Sequence, residues 1–128
     1  MNRFLWLLQI VLSIEFFFTG IVHLIIPPGL PAILTWIYAL PAGLHYFIGT
    51  VEILAVLGLI LPGLTHIQTR LTPLAALGLV PIMAGAIVWH ATRNEFSNIL
   101  LDLVLAGMAG FVAYRRWKLN PLKDKSAL

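Results

Sequence analysis

Cysteine is absent from the 128 residues, and charge is scarce, with Asp, Glu, Lys and Arg together making up 10%. The first absence excludes disulfides, thiolate catalysis and iron–sulfur ligation by this chain, and leaves histidine and carboxylate as its only plausible metal ligands. The second excludes an ordinary soluble domain, in which about a quarter of residues are charged and about half apolar. Here 60% are hydrophobic, and mean hydropathy is +0.96. No glycine-rich phosphate loop, Rossmann fingerprint or serine nucleophile elbow is present. The net charge of +3 does not imply a nucleic-acid partner, because five of eight basic residues, Arg115, Arg116, Lys118, Lys123 and Lys125, follow Tyr114 as a membrane-flanking tail.

Hydrophobic runs and their breakers predict an all-α membrane protein: one domain over residues 1–128, a bundle of four transmembrane helices. At about 20 residues per span there is room for four and no soluble catalytic domain. The first span covers about residues 4–26 and stops at Pro27-Pro28-Gly29; the second covers 45–62 and stops at Pro62-Gly63. The third covers 72–91, with Thr72 as N-cap and Pro73 at the first helical position, and the fourth covers 97–114, ahead of the basic tail 115–128. Residues 27–43, punctuated by Pro31 and Pro41 and carrying Trp36 and Tyr38, predict a short interfacial helix that either caps the bundle or acts as a lid. Glu15 and the lack of an A-x-A site argue against a cleaved signal peptide at the N-terminus.

An even number of spans puts both termini on one side. That side carries Arg3, Arg70 and the five tail residues against Arg93 alone, which predicts cytoplasmic termini in a bacterial-type inner membrane.

Six ionisable residues interrupt the apolar runs: His23, His45, His90, Glu15, Glu52 and Asp102. In hydrocarbon each costs at least ~2.5 kcal/mol, so each needs a partner, a wet cavity or a function. The topology puts the three histidines near the external face. The acids lie deeper on that side, Glu52 roughly 10 Å below His45 and Glu15 about 12 Å below His23. His45 and Glu52 share a helix face, Thr19 stands four residues from both Glu15 and His23, and Asn98 stands four from Asp102. These spacings allow an outward-opening polar funnel. The bland alternative is that the same groups only lock helices together, Glu52 with a histidine or Arg93, while the histidines anchor at the interface. The inner half lacks such groups and carries Gly58, Ala75, Gly78, Ala106, Ala109, Gly110 and Ala113, which suit close helix packing. Pro81 frees the carbonyl of Leu77, and Trp6, Trp36, Trp89 and Trp117 read as an aromatic belt.

Phe18-Thr19-Gly20-Ile21-Val22-His23-Leu24 resembles the F-x-G-x-x-K-L first helix of DoxX-like membrane proteins. Ile48-Gly49-Thr50-Val51-Glu52-Ile53-Leu54, with Gly58-Leu59 and Pro62, resembles their second-helix G-x-x-E segment. Thr72 to Leu79, with Met83, Ala86 and His90, resembles the third. The likeness covers nearly the whole chain, through order and spacing more than any one motif. It implies a small four-helix membrane subunit, tied in some members to quinone-linked sulfur oxidation or a membrane oxidoreductase complex, and in most without an established activity. Glu52 and His90 fall at matching positions. His23 stands where the family pattern has lysine, so a fixed cation paired with Glu52 does not carry over.

Three readings follow. In the first, the chain is a quinone-interacting subunit of a membrane redox complex. In the second it is a non-catalytic accessory subunit, associating with other membrane proteins or with itself. In the third, His23, His45 and His90 hold a metal or haem.

Overall fold

A computed structural model describes residues 1–128 as four long helices with no strand. Helix α1 spans Asn2–Ile25, α2 Ala42–Thr65, α3 Leu71–Thr92 and α4 Phe96–Tyr114. A π-helical turn, Arg115–Leu119, prolongs α4. Each helix is long and apolar enough to cross a membrane; at 1.5 Å per residue, 24 residues reach about 36 Å, more than the ~30 Å hydrocarbon thickness. Neighbours in sequence are neighbours in space: α1 packs along α2, α2 on α3 and α3 along α4, while α4 closes more loosely on α1. Leu5, Leu12, Phe16, Leu59, Leu79 and Val112 form a fully covered core. The expected interfacial helix is a 3₁₀ segment, Ala32–Ala39, whose Ile37 is buried while its neighbours are exposed or partly exposed.

The proline at 62 does not end α2, which runs on to Thr65 and stops at the left-handed His66. Pro62 has no N–H for the Gly58 carbonyl. Thr72 Oγ1 on α3 donates to that carbonyl at 2.8 Å, and Gln9 Nε2 on α1 donates to the adjacent Leu59 carbonyl at 2.7 Å. Neighbouring helices therefore satisfy the backbone at the break, as hydrocarbon requires. The same bond corrects the reading of Thr72: α3 starts at Leu71 without a side-chain cap, and the Thr72 hydroxyl joins α3 to α2.

Small residues permit close approach at only some of the expected positions. A Cβ on Gly58 would lie 2.7 Å from Ala75 Cβ, whereas Gly78 and Gly110 face open space. The tightest backbone approach joins α1 and α2, where a Cβ on Gly49 would meet the Gly20 carbonyl oxygen at 3.0 Å.

The end bearing the termini is polar inside, contrary to the expectation of pure packing there. Arg116 is 2% exposed. Its Nε donates to Gln9 Oε1 and its Nη1 to Asn2 Oδ1, both at 2.7 Å, with a further bond from Nη1 to the Asn120 carbonyl. Arg116 is thus a buried tie between α1 and the end of α4. The tail then folds back on the α2–α3 turn: Thr69 donates to Asp124 Oδ1 from both its N–H and its hydroxyl, and Lys125 N donates to the His66 carbonyl.

Candidate functional site

At the opposite end, helix direction brings the C-terminal turns of α1 and α3 level with the first turns of α2 and α4. His23 and His90 come from the former and His45 from the first turn of α2, while Asp102 lies in the second turn of α4 and Glu52 two turns below His45. All five are buried. The apolar faces of the helices leave a cavity of about 320 Å³ between them, lined by Glu15, Thr19, His23, Glu52, His90, Asn98 and Asp102 among Phe16, Leu44, Phe47, Met83 and Leu105. Five of the six ionisable residues singled out in the sequence reach its wall; His45 does not, and stands behind His23.

Two imidazole–carboxylate pairs flank the cavity. On the α1–α2 side the Nδ1 atoms of His23 and His45 are 2.9 Å apart. One must donate and the other accept, so the rings cannot both be imidazolium in this arrangement. With His45 donating, the N–H of His23 sits on Nε2, 4.0 Å from Glu52 Oε1. The other Glu52 oxygen is 2.7 Å from Thr19 Oγ1, which is also 3.2 Å from the Glu15 carbonyl. This hydroxyl suits either state of the acid: it donates to a carboxylate, or accepts from a carboxylic acid while donating to the carbonyl. On the α3–α4 side His90 Nδ1 is 3.0 Å from Glu95 Oε1, and His90 Nε2 is 3.6 Å from Asp102 Oδ2. Glu95 is 22% exposed and also accepts from Arg93 Nε at 3.0 Å. Arg93 therefore pairs with Glu95 rather than Glu52.

Trp36, from the 3₁₀ segment, joins the cavity wall between His23 and His90. Its ring centroid lies 5.7 Å from that of His23 and 4.7 Å from that of His90, edge-on to the latter. Trp36 Nε1, Trp89 Nε1 and Asp102 Oδ2 are buried without a hydrogen-bond partner in the chain, and all three residues line the cavity. Buried polar atoms are normally satisfied, so two unpaired donors and an unpaired acceptor on residues of one cavity wall favour a binding site over a finished core. Trp36 is thus a cavity residue instead of a belt residue, and Trp6 packs where Gly63 leaves room for its ring. Trp117, half exposed beside Arg70, fits the belt reading.

The three histidines do not converge on one point in this structure. Trp36 packs against both His23 and His90, and no three His, Asp, Glu or Cys side chains converge as a metal ion needs.

Glu95 and Gln9 have no role in the sequence reading, where Trp36 stands only as a belt aromatic and Arg116 only as part of the basic tail. Glu95 precedes the fourth span, and Trp36 has the generic position of an interfacial aromatic. Gln9 alone carried a usable signal, an amide in mid-span that must find partners as surely as an acid does.

A model of the DoxX-like family matches residues 7–112, a stretch that includes every cavity-lining residue. Comparison with curated proteins and with solved structures finds no match.

Proposed function

Since the chain belongs to the DoxX-like family of membrane proteins, we propose that its cavity holds the ring of a lipid-soluble, quinone-type ligand and exchanges protons with it, the chain serving a membrane redox complex as subunit or accessory. The observation that carries this reading is the pair of buried imidazole–carboxylate couples facing one apolar cavity with open hydrogen-bonding atoms. At about 320 Å³ the space is at the small end of ligand pockets, suited to one substituted ring with its tail in lipid. The indole N–H groups of Trp36 and Trp89 have no partner in the chain, and a small side-chain rotation would let them donate to ring oxygens. His23 Nε2 and His90 Nε2 each face a carboxylate, so each ring can pass a proton between that acid and its far nitrogen. Glu95, partly exposed behind His90, links that couple to the surface. A bound quinone would supply the two-electron chemistry; electron delivery is assigned to a partner subunit, and binding, orientation and proton exchange to this chain.

The charge asymmetry supports cytoplasmic termini in a bacterial-type inner membrane, with the cavity at the external side. Glu52→Gln keeps the shape and removes the titrating group. It should abolish quinone reduction by the assembled complex at normal complex yield. Unchanged turnover would overturn the reading.

A second reading, a non-catalytic accessory subunit, draws on one observation: Thr19 ties α1 directly to Glu52 on α2. On that reading Glu52→Gln lowers the yield of complex and leaves turnover per complex intact.

A further inference from the structure

At the end bearing the termini, away from the histidine cavity, we propose a binding site for the phosphate group of an anionic membrane phospholipid. A pocket of about 450 Å³ lies where the tail folds over the first turn of α3. Its charged lining is Arg70, Arg116 and Lys123 against Asp124 alone, with Trp117 and Ser126 beside them. The acid is already engaged, since Asp124 Oδ1 accepts from both the N–H and the hydroxyl of Thr69. The excess is therefore cationic.

The second observation is Arg116. It is 2% exposed, and while Nε and Nη1 bind Gln9, Asn2 and the Asn120 carbonyl, Nη2 is buried without a partner. A guanidinium in an apolar bundle with one nitrogen open is unusual, because a buried donor left unmade is costly. The planar fork suits a phosphate oxygen, and Arg70 and Lys123, both exposed, can close on the same group from outside. A phosphate on a lipid accounts for the surroundings better than a free ion. Leu71 and Leu74, which flank the lining residues Arg70 and Pro73 in sequence, and Leu119, between Trp117 and Pro121, present exposed apolar surface, as an acyl chain requires, and the Trp117 ring, in the pocket wall 5.6 Å from the Arg70 guanidinium, suits headgroup level. Basic pockets beside spanning helices on the cytoplasmic side recruit anionic headgroups in this way. The site does not depend on the function proposed for the histidine cavity.

The full chain, reconstituted in discs of phosphatidylcholine with one-fifth phosphatidylglycerol, extracted in mild detergent and weighed by native mass spectrometry, tests this. One phosphatidylglycerol per chain should be retained in preference to phosphatidylcholine. Arg70→Gln and Lys123→Gln lie outside the packed interior and should each weaken retention about fivefold, with unchanged thermal unfolding in lipid-free detergent. A parallel titration with inorganic phosphate separates the sources: no binding at millimolar concentration supports the lipid, and saturation by inorganic phosphate without lipid selectivity overturns it. Equal retention of the two lipids, unchanged retention in both variants, or an acidic protein held in place of lipid would also overturn it.

Discussion

Thr19 and Gln9 both bridge α1 to α2, but they leave very different debts when removed. Thr19→Val deletes one hydroxyl next to Glu52, whose other oxygen faces His23 and the cavity. Gln9→Leu removes the cross-helix bond to the Leu59 carbonyl and also strands the Nε of a buried arginine. Interhelical hydrogen bonds in membranes average ~0.6 kcal/mol, while a buried charged donor left unpaired costs about 2–3 kcal/mol. Thermal unfolding in detergent should therefore rank Gln9→Leu as clearly the more damaging, by at least ~1 kcal/mol. Equal losses would mean that water reaches Arg116. The contrast also explains what could be read from sequence at this scale. An acid or histidine inside an apolar run announces itself by its solvation cost, which is how Glu52 and His90 were found. Arg116 sits 107 residues from its partner Gln9, in a run of basic residues that resembles any membrane-flanking tail, and nothing local distinguishes it from Arg115.

Among the elements, α2 carries the most exacting chemistry. Because Pro62 leaves the Gly58 carbonyl to Thr72, the two substitutions should be coupled: Thr72→Val should cost about 1 kcal/mol in the native background and distinctly less alongside Pro62→Ala, whose restored N–H serves the same carbonyl. A double-mutant cycle by thermal unfolding measures this, and strict additivity would dismiss the healing role of Thr72. Glycines divide in the same concrete way. Gly49→Ala pushes a methyl against the Gly20 backbone, a contact no rotamer change relieves, and should cost about 1–3 kcal/mol. Gly78→Ala meets nothing and should be neutral or stabilising by up to ~1 kcal/mol through helix propensity. Both lie in apolar helical runs, so only the packing tells them apart. The docked tail adds a pH dependence. The two Thr69 hydrogen bonds hold the Asp124 carboxyl below the usual carboxylate range, with Arg70 and His66 helping. A carboxyl lowered in the folded state stabilises docking fully above its unfolded pKa of ~3.9 and loses that contribution as pH falls through the lower native value. Hydrogen exchange at the Thr69 amide should be slower than its intrinsic rate at neutral pH and lose that protection only on that acid side.

For the whole molecule, four apolar runs with proline and glycine between them were enough to predict four helices of membrane-crossing length, because hydrocarbon permits only helices that satisfy their own backbone. Which faces meet was not legible: all four helices are apolar nearly all round, so no stripe marks the interior, and large side chains such as Leu57, Leu77 and Leu100 end up facing outward. Position along the membrane normal was readable, rotation about each helix axis was not, and the cavity needs both. Topology depends on position alone. The end that gathers the N-terminus, the α2–α3 turn and the tail holds Arg3, Arg70, Arg115, Arg116, Lys118, Lys123 and Lys125, while the other end holds Arg93, already paired with Glu95. Since Arg116 is buried in the bundle, six basic residues remain to act at the surface against one, a bias of the same sign. A C-terminal green fluorescent protein fusion expressed in a bacterial inner membrane should fluoresce, and a C-terminal alkaline phosphatase fusion should be inactive, as for a cytoplasmic end. Fusions placed after Arg93 should report the reverse. The opposite pattern at both positions would put the histidine cavity at the cytoplasmic side and require its proton exchange to be drawn from there.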